Sequence, residues 1–178
     1  MDLTETVRTA AAVVLVEGIS DRIALETAAV RQGRDLAAER VVILPIGGAH
    51  AITRSLAELG PVAGRVRLAG MCDLREERIF RRDFFLTVCV NDLEEELIRA
   101  AGPAAIEALF AAEGDLRLFH LFQSQPAWRG RDLEAQIYRF VRSSSRRNLR
   151  YARLLVETAA TLPRPLDDLL AWAGGPVT

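Results

Sequence analysis

Three apolar runs in this chain each stop at a carboxylate, and no other feature narrows the fold as much. The first is Val13-Val14-Leu15-Val16, followed by Glu17-Gly18-Ile19-Ser20-Asp21. The next is Val66 to Cys72, ending at Asp73, and the last is Phe84 to Val90, ending at Asn91-Asp92. Apolar runs of this length, broken only by Arg67 and Thr87, read as strands buried on both faces, which is the habit of a parallel sheet. In an open parallel sheet, ligands gather at the carboxyl ends of the strands. Three acids placed there would share one edge.

The rest of the pattern agrees with an α/β layered domain. Val41-Val42-Ile43-Leu44 is a further apolar run, and Pro45-Ile46-Gly47-Gly48 turns the chain after it. Helical spacing is expected over Ser20–Gln32, Ala49–Leu59 and Leu93–Ala101, with Gly33, Gly60-Pro61 and Gly102-Pro103 as stops. The expected fold is therefore a mostly parallel four-stranded sheet of Rossmann type, flanked by helices. From Pro103 onward no comparable strand is present. Ala104–Glu113, Leu133–Val141, Arg146–Ala160 and Leu166–Ala173 read as helices. The expected organisation is an α/β domain over residues 1–102 with a helical extension over 103–178, packed on it or merged with it.

Composition excludes several classes. All 23 basic residues are arginine, so no lysine nucleophile or lysine acid is available. The net charge of −1 gives no global attraction to nucleic acid, and any basic surface must be local. Cys72 and Cys89 lie in apolar runs without metal-ligand spacing, which reads as buried, reduced thiols. No signal peptide and no apolar run of membrane-spanning length is present, so a cytoplasmic location and no membrane partner are expected.

Glu17 and Asp21 stand four residues apart, one at a strand end and one a helical turn on. Hard cations such as Mg²⁺ take oxygen ligands, commonly one or two carboxylates with water and substrate phosphate. The bland alternative is an acid complementing the helix dipole beside a solvated loop acid. Asp73, Asp92 and Glu94 have the same two readings, since an acid before a helix is also a cap. Gly47 and Gly48 suit backbone approach to phosphate, or merely a tight turn. His50 is either a phosphate contact or an ordinary residue of the helix start. Arg139, Arg142, Arg146, Arg150 and Arg153 would form one basic face if a helix ran through, although Ser143-Ser144-Ser145 is placed to break it. Trp128 between polar residues and Arg129 suits stacking on single-stranded nucleic acid, or a half-buried tryptophan.

The run Leu15-Val16-Glu17-Gly18-Ile19-Ser20-Asp21 resembles the first motif of the toprim domain, most closely that of the overcoming-lysogenisation-defect (OLD) nucleases. The resemblance covers Ala12 to Ala101 and, more loosely, Gln123 to Glu157. It implies that Glu17, Asp21 and Asp73 are catalytic, and that with Asp92 and Glu94 they hold Mg²⁺ or Mn²⁺. Asp92 and Glu94 match the family's Asp-Leu-Glu segment, and Gly47-Gly48 its glycine turn. Two departures matter. Arg75 stands where the family carries the second acid of Asp-x-Asp, and in an extended segment it would point to the same side as Asp73. The helical stretch Arg146–Ala152 lacks the family's lysine, for which Arg147 is a stand-in. Gly47, Gly48, His50, Arg75, Arg129, Arg146, Arg147 and Arg150 are the implied phosphate or nucleic-acid contacts.

The resemblance implies metal-dependent phosphodiester chemistry on nucleic acid, DNA nicking or cleavage above all. Two alternatives stay open. One is a non-catalytic module with a degenerate site, binding nucleic acid or a partner protein. The other is a phosphohydrolase acting on nucleotides or small phosphoesters. No Gly-x-x-x-x-Gly-Lys-Ser/Thr loop is present, so the expected form is a free-standing toprim chain with any ATPase as a separate partner. A homo-oligomer is compatible with all of this.

Overall fold

The structure, a computed structural model, describes residues 7–175. The chain order is β1 (Ala12–Val16), α1 (Ile19–Arg31), β2 (Val41–Pro45), a 3₁₀ turn (Ala49–Ala51), α2 (Ile52–Ala63), β3 (Arg67–Asp73), α3 (Glu77–Phe80) and β4 (Phe85–Cys89). Helices complete it: α4 (Leu93–Ala101), α5 (Pro103–Ala112), α6 (Leu116–Gln123), α7 (Leu133–Val141), α8 (Ser145–Thr158) and α9 (Arg164–Ala173). The sheet order is β2-β1-β3-β4 and every pairing is parallel. This is the α/β, helix-flanked parallel sheet that the apolar runs predict.

β1 sits centrally and all five of its residues are buried, which is why its sequence is apolar without alternation. Its residues divide between two cores. Val14 and Val16 face α1 and the helical half, whereas Val13 and Leu15 face α2 and α3. Each fully buried Leu, Ile or Phe contributes on the order of 1.5–3 kcal/mol. The larger core mixes Val14, Met71 and Cys89 of the sheet with Phe110, Phe119, Phe140 and Tyr151 of the later helices. The Phe110 ring lies 4.9 Å from Phe119, 5.2 Å from Phe140 and 5.3 Å from Tyr151. α9 reaches back to the sheet, where Trp172 stacks on Phe85 at 5.7 Å.

Several local expectations are corrected. α2 does not stop at Gly60-Pro61 but runs to Ala63. A proline this close to a helix end forfeits one of the few remaining backbone bonds, and buried Leu59 and Val62 hold the last turn on the core. α6 is not marked in the sequence reading, because its aromatic residues are weak helix formers. Burial of Phe119 in the ring cluster supplies what propensity does not. The three serines do interrupt the basic stretch. α7 ends at Val141, and Ser144 caps α8 by accepting a hydrogen bond from the Arg147 N–H at 3.2 Å. The arginines from Arg139 to Arg153 therefore belong to two helices and do not form one face. Gly70 is fixed by packing: a Cβ there would stand 3.0 Å from Phe84 and 3.1 Å from Phe80.

Candidate active site

The parallel register ends β3 and β4 together and carries β3 slightly past the end of β1. Leu15 pairs with Gly70, and Asp73 pairs with Cys89. Glu17 lies one residue beyond β1, and the Asp73 N–H donates to Glu17 Oε1 at 2.9 Å. The Glu17 carbonyl accepts from the N–H groups of Gly47 and Gly48 at 3.0 and 2.9 Å. Their φ values of +81° and +106° suit only glycine without strain. The glycine turn thus buckles the β2 loop onto the Glu17 backbone, which commits both N–H groups within the protein.

Asp21 is the third residue of α1, and its Oδ2 accepts from the Gly18 N–H at 2.8 Å. Asp92 caps α4 through the Glu95 N–H at 2.9 Å. Its other oxygen accepts from the Tyr138 hydroxyl and from Arg142 Nη1. Glu94 is 7 % exposed in the first turn of α4. Glu17, Gly18, Ser20, Asp21, Asp73, Asp92, Glu94, Arg142 and Asn148 line one cleft of about 230 Å³. A second cleft of about 390 Å³ is lined by Asp73, Arg75, Asn91, Asp92, Glu95, Tyr138 and Arg142. The two share Asp73, Asp92 and Arg142.

Crowding is visible in the proton affinities. Glu17 is raised to about 8, first by burial and then by a carboxyl–carboxyl hydrogen bond with Glu76. Asp21 is raised to about 7 by burial and by the neighbouring Glu94. Asp73 is raised to about 7 by burial, with Asp92 and Glu76 adding to it. Each shift says that the ionised form lacks compensation where it sits. The cleft's donors are all oxygen, which suits a hard cation such as Mg²⁺ or Mn²⁺. Two more oxygens, Glu76 Oε2 and Asn148 Oδ1, are shielded from solvent and have no hydrogen-bond partner. Among the described residues no group of three or more His, Cys, Asp or Glu side chains stands close enough together to hold a metal ion. By chemistry the acids of the cleft suit a hard cation; Asp92 differs from Glu17, Asp73 and Glu94 in that both of its oxygens accept from protein donors.

The basic residues are distributed differently from the sequence reading. Arg75 does not continue an extended strand. β3 ends at Asp73, and a turn closes with the Glu76 N–H donating to the Asp73 carbonyl at 2.9 Å. The turn leaves Arg75 exposed on the second cleft and brings Glu76 to Glu17. Arg147 lies over the Phe140 ring at 4.2 Å, with its Nε 3.7 Å from Asp115. Arg146, Arg147 and Arg150 surround a separate cleft with Asp115 and Ser144. Arg129 donates to the Ser124 carbonyl at 3.0 Å. His50 is exposed in the 3₁₀ turn. His50, Arg129, Arg146, Arg147 and Arg150 do not line the acid cleft. Sequence reasoning did not single out Tyr138, Arg142 or Asn148 for this place, and offered Glu76 only together with Glu77 as the substitute for the acid that Arg75 replaces. Asn148 sits inside the stretch compared with the family's lysine region, and Glu76 in the acidic run after Asp73, but neither signal fixes a direction.

Comparison with known proteins agrees with this geometry. Residues 9–60 match the profile of the overcoming lysogenization defect protein-like TOPRIM domain. The structure superposes on the C-terminal region of the Burkholderia pseudomallei OLD protein with a TM-score of 0.66 and 16 % identity, covering 95 % of this chain and 99 % of that one. It also superposes on the C-terminal region of the Xanthomonas campestris pv. campestris OLD protein with a TM-score of 0.63 and 18 % identity, covering 93 % and 95 %. No curated protein sequence matches the chain.

Proposed function

We propose that this chain, which carries an OLD-like toprim domain at residues 9–60 and has the fold of OLD C-terminal regions, performs divalent-metal-dependent phosphodiester hydrolysis on nucleic acid. The observation that carries the reading is the convergence of Glu17, Asp21, Asp73 and Glu94 on one cleft at the carboxyl edge of the sheet. These four would hold Mg²⁺ or Mn²⁺, which when bound supplies an activated water and stabilises the leaving oxygen. Burial and mutual repulsion keep Glu17, Asp21 and Asp73 partly protonated near neutrality. A divalent cation relieves that repulsion, so binding expels protons and tightens as pH rises. Glu76, through its hydrogen bond, and the Asp73 N–H, on Oε1, hold the Glu17 carboxyl in place. DNA is the favoured substrate, with an ATPase as partner and a cytoplasmic setting. Among the described residues no helix is long and apolar enough to cross a membrane.

The test is plasmid nicking in Mn²⁺, Mg²⁺ or EDTA, with Glu17→Gln beside the unmodified protein. Cleavage should require metal and fall at least about a hundredfold in Glu17→Gln, as expected for a ligand rather than a distant residue. The thermal midpoint in EDTA should hold or rise, because a carboxyl that resists ionisation has been removed. Equal cleavage by the two proteins refutes the assignment. A module that binds without cleaving is the second reading, favoured by Arg75 at the usual second acid. DNA binding with no metal-dependent cleavage would select it. Turnover confined to a panel of mononucleotides would select a small-phosphoester hydrolase.

A further inference from the structure

We propose that this site is built for a single metal ion, with Arg142 in the place of a second cation and its guanidinium gripping the substrate phosphate. The proposal rests on the phosphodiester reading above and names how substrate charge is met. Three observations carry it.

Asp92 is the first. One of its oxygens accepts the Glu95 N–H at 2.9 Å, and the other accepts both the Tyr138 hydroxyl and Arg142 Nη1. Three protein donors take three of the roughly four lone-pair sites of a carboxylate, and both sites of the oxygen that faces Arg142. Asp92 braces an arginine and a helix start, and has little left for a metal. The cation opposite Asp92 is already part of the chain.

The second is where the guanidinium stands. Arg142 follows the last residue of α7, at the helix end where a positive charge is favoured. Tyr138, one turn earlier, places its ring 4.9 Å from the guanidinium carbon. Its hydroxyl also pairs with Arg142 Nη1. Ring, hydroxyl and Asp92 together fix the plane of the fork. Among the described residues, Nη1 carries these hydrogen bonds, so the Nε and Nη2 donors are left for a ligand. An arginine fork presents paired donors that match phosphate oxygens.

The third is the junction of the two clefts. Arg142 lines both the cleft of about 230 Å³ that holds Glu17, Asp21 and Glu94, and the cleft of about 390 Å³ that holds Arg75. The first is acidic and suits the metal. The second sets two arginines, Arg75 and Arg142, beside Asp73, Asp92 and Glu95, so of the two clefts it is the one with cationic donors for the next phosphate of a polynucleotide. A strand crossing from one to the other passes Arg142 at the shared wall. A second divalent ion there would meet a fixed positive charge and an Asp92 whose Arg142-facing oxygen is fully taken.

Two titrations test this on the full chain. Calorimetric titration of MnCl₂ into the unmodified protein should give one ion per chain. Fluorescence anisotropy with a labelled single-stranded 12-nucleotide DNA in EDTA reads phosphate binding with no metal present. There Arg142→Gln should weaken binding by roughly tenfold or more, as a lost charge-assisted hydrogen bond requires. Arg139→Gln, exposed on the same helix, controls for general charge and should change binding by no more than about twofold. Mn²⁺ should still bind Arg142→Gln, at least as tightly as the unmodified protein. Should Arg142→Gln not fold, Arg142→Lys serves instead: it keeps the charge beside Asp92 but lacks the fork, and should still bind DNA several-fold more weakly. Two ions per chain in the unmodified protein overturn the single-metal assignment while leaving the phosphodiester reading intact. No ion at all overturns that earlier reading instead. An Arg142→Gln loss no greater than that of Arg139→Gln, or full binding by Arg142→Lys, overturns the role given to the guanidinium.

Discussion

Two buried aspartates in this protein have nearly the same partners and sit in opposite surroundings. Asp92, 9 % exposed, meets the Tyr138 hydroxyl and Arg142; Asp115, 7 % exposed, meets the Tyr151 hydroxyl at 2.9 Å and Arg150. Asp115 lies among cations, with Arg147 also at 3.7 Å and Tyr151 wholly buried in the ring cluster. Its network ties the start of α6 to α8 and closes on itself. Asp92 lies among acids, with Asp73 and Glu94 lining the same cleft. Its arginine therefore faces more negative charge than its own partner supplies. The same three side-chain types make a brace in one place and an arginine poised for a ligand in the other. What separates them is the company kept, since a charge pair balanced by its neighbours stabilises and one left over-supplied with carboxylates recruits cations.

The sharpest way to test the contrast is to delete each aspartate. Asp115→Ala strands Arg150 and Arg147 and should cost about 2 kcal/mol, scaled down because Arg150 is 39 % exposed. For a chain of this size that is a fall of roughly 4–8 °C in thermal midpoint. Mn²⁺ binding should be unaffected. Asp92→Ala removes a helix cap worth about 1 kcal/mol, but leaves Arg142 beside Asp73 and Glu94, so its thermal loss should be the smaller. Equal midpoints for the two variants would erase the distinction.

Proton linkage gives a weaker but independent handle. The folded-state carboxyls of Glu17, Asp21 and Asp73 stand at about 8, 7 and 7, above their ordinary values of 4.5, 3.8 and 3.8. The folded protein therefore holds more protons than the unfolded chain between about pH 4 and 8, and stability must fall as pH rises through that window. Thermal midpoints in EDTA should drop from pH 6 to pH 8. Mn²⁺ should flatten or reverse the drop, and Glu17→Gln should make it shallower. A midpoint rising with pH in EDTA would mean that the acid cleft is compensated after all.

The smallest expected difference is between the two tyrosines. Tyr151→Phe removes a hydroxyl from a dry core and should cost about 1 kcal/mol, whereas Tyr138→Phe, at a half-buried position, should cost about half that. The second should instead weaken single-stranded DNA binding, because the guanidinium loses one of its braces. The reverse ranking, measured by denaturant midpoints, would move the structural lock to the acid cleft.

Local chemistry alone determined the strands and the acids at their ends. An apolar run without alternation has few uses besides a doubly covered strand, and parallel pairing then puts every strand's last residue at one edge. Glu17, Asp21, Asp73 and Asp92 were legible for that reason: each lies within a few residues of a strand end, where direction is set by the backbone, whereas Glu94 was told from Glu95 and Glu96 only by the resemblance to the toprim Asp-Leu-Glu segment. Only the tertiary structure decided what faces them. Tyr138, Arg142 and Asn148 reach the cleft from α7, its end and α8, dozens of residues along the chain. An arginine's periodicity states its helix face but not what that helix packs against. The exchange of Arg75 for Glu76 beside Glu17 turned on a single backbone turn after Asp73, and the division of the basic stretch on which serine capped α8. Long-range placement of this kind comes from burying Phe110, Phe119, Phe140 and Tyr151 together, a packing solution that no short stretch of sequence contains.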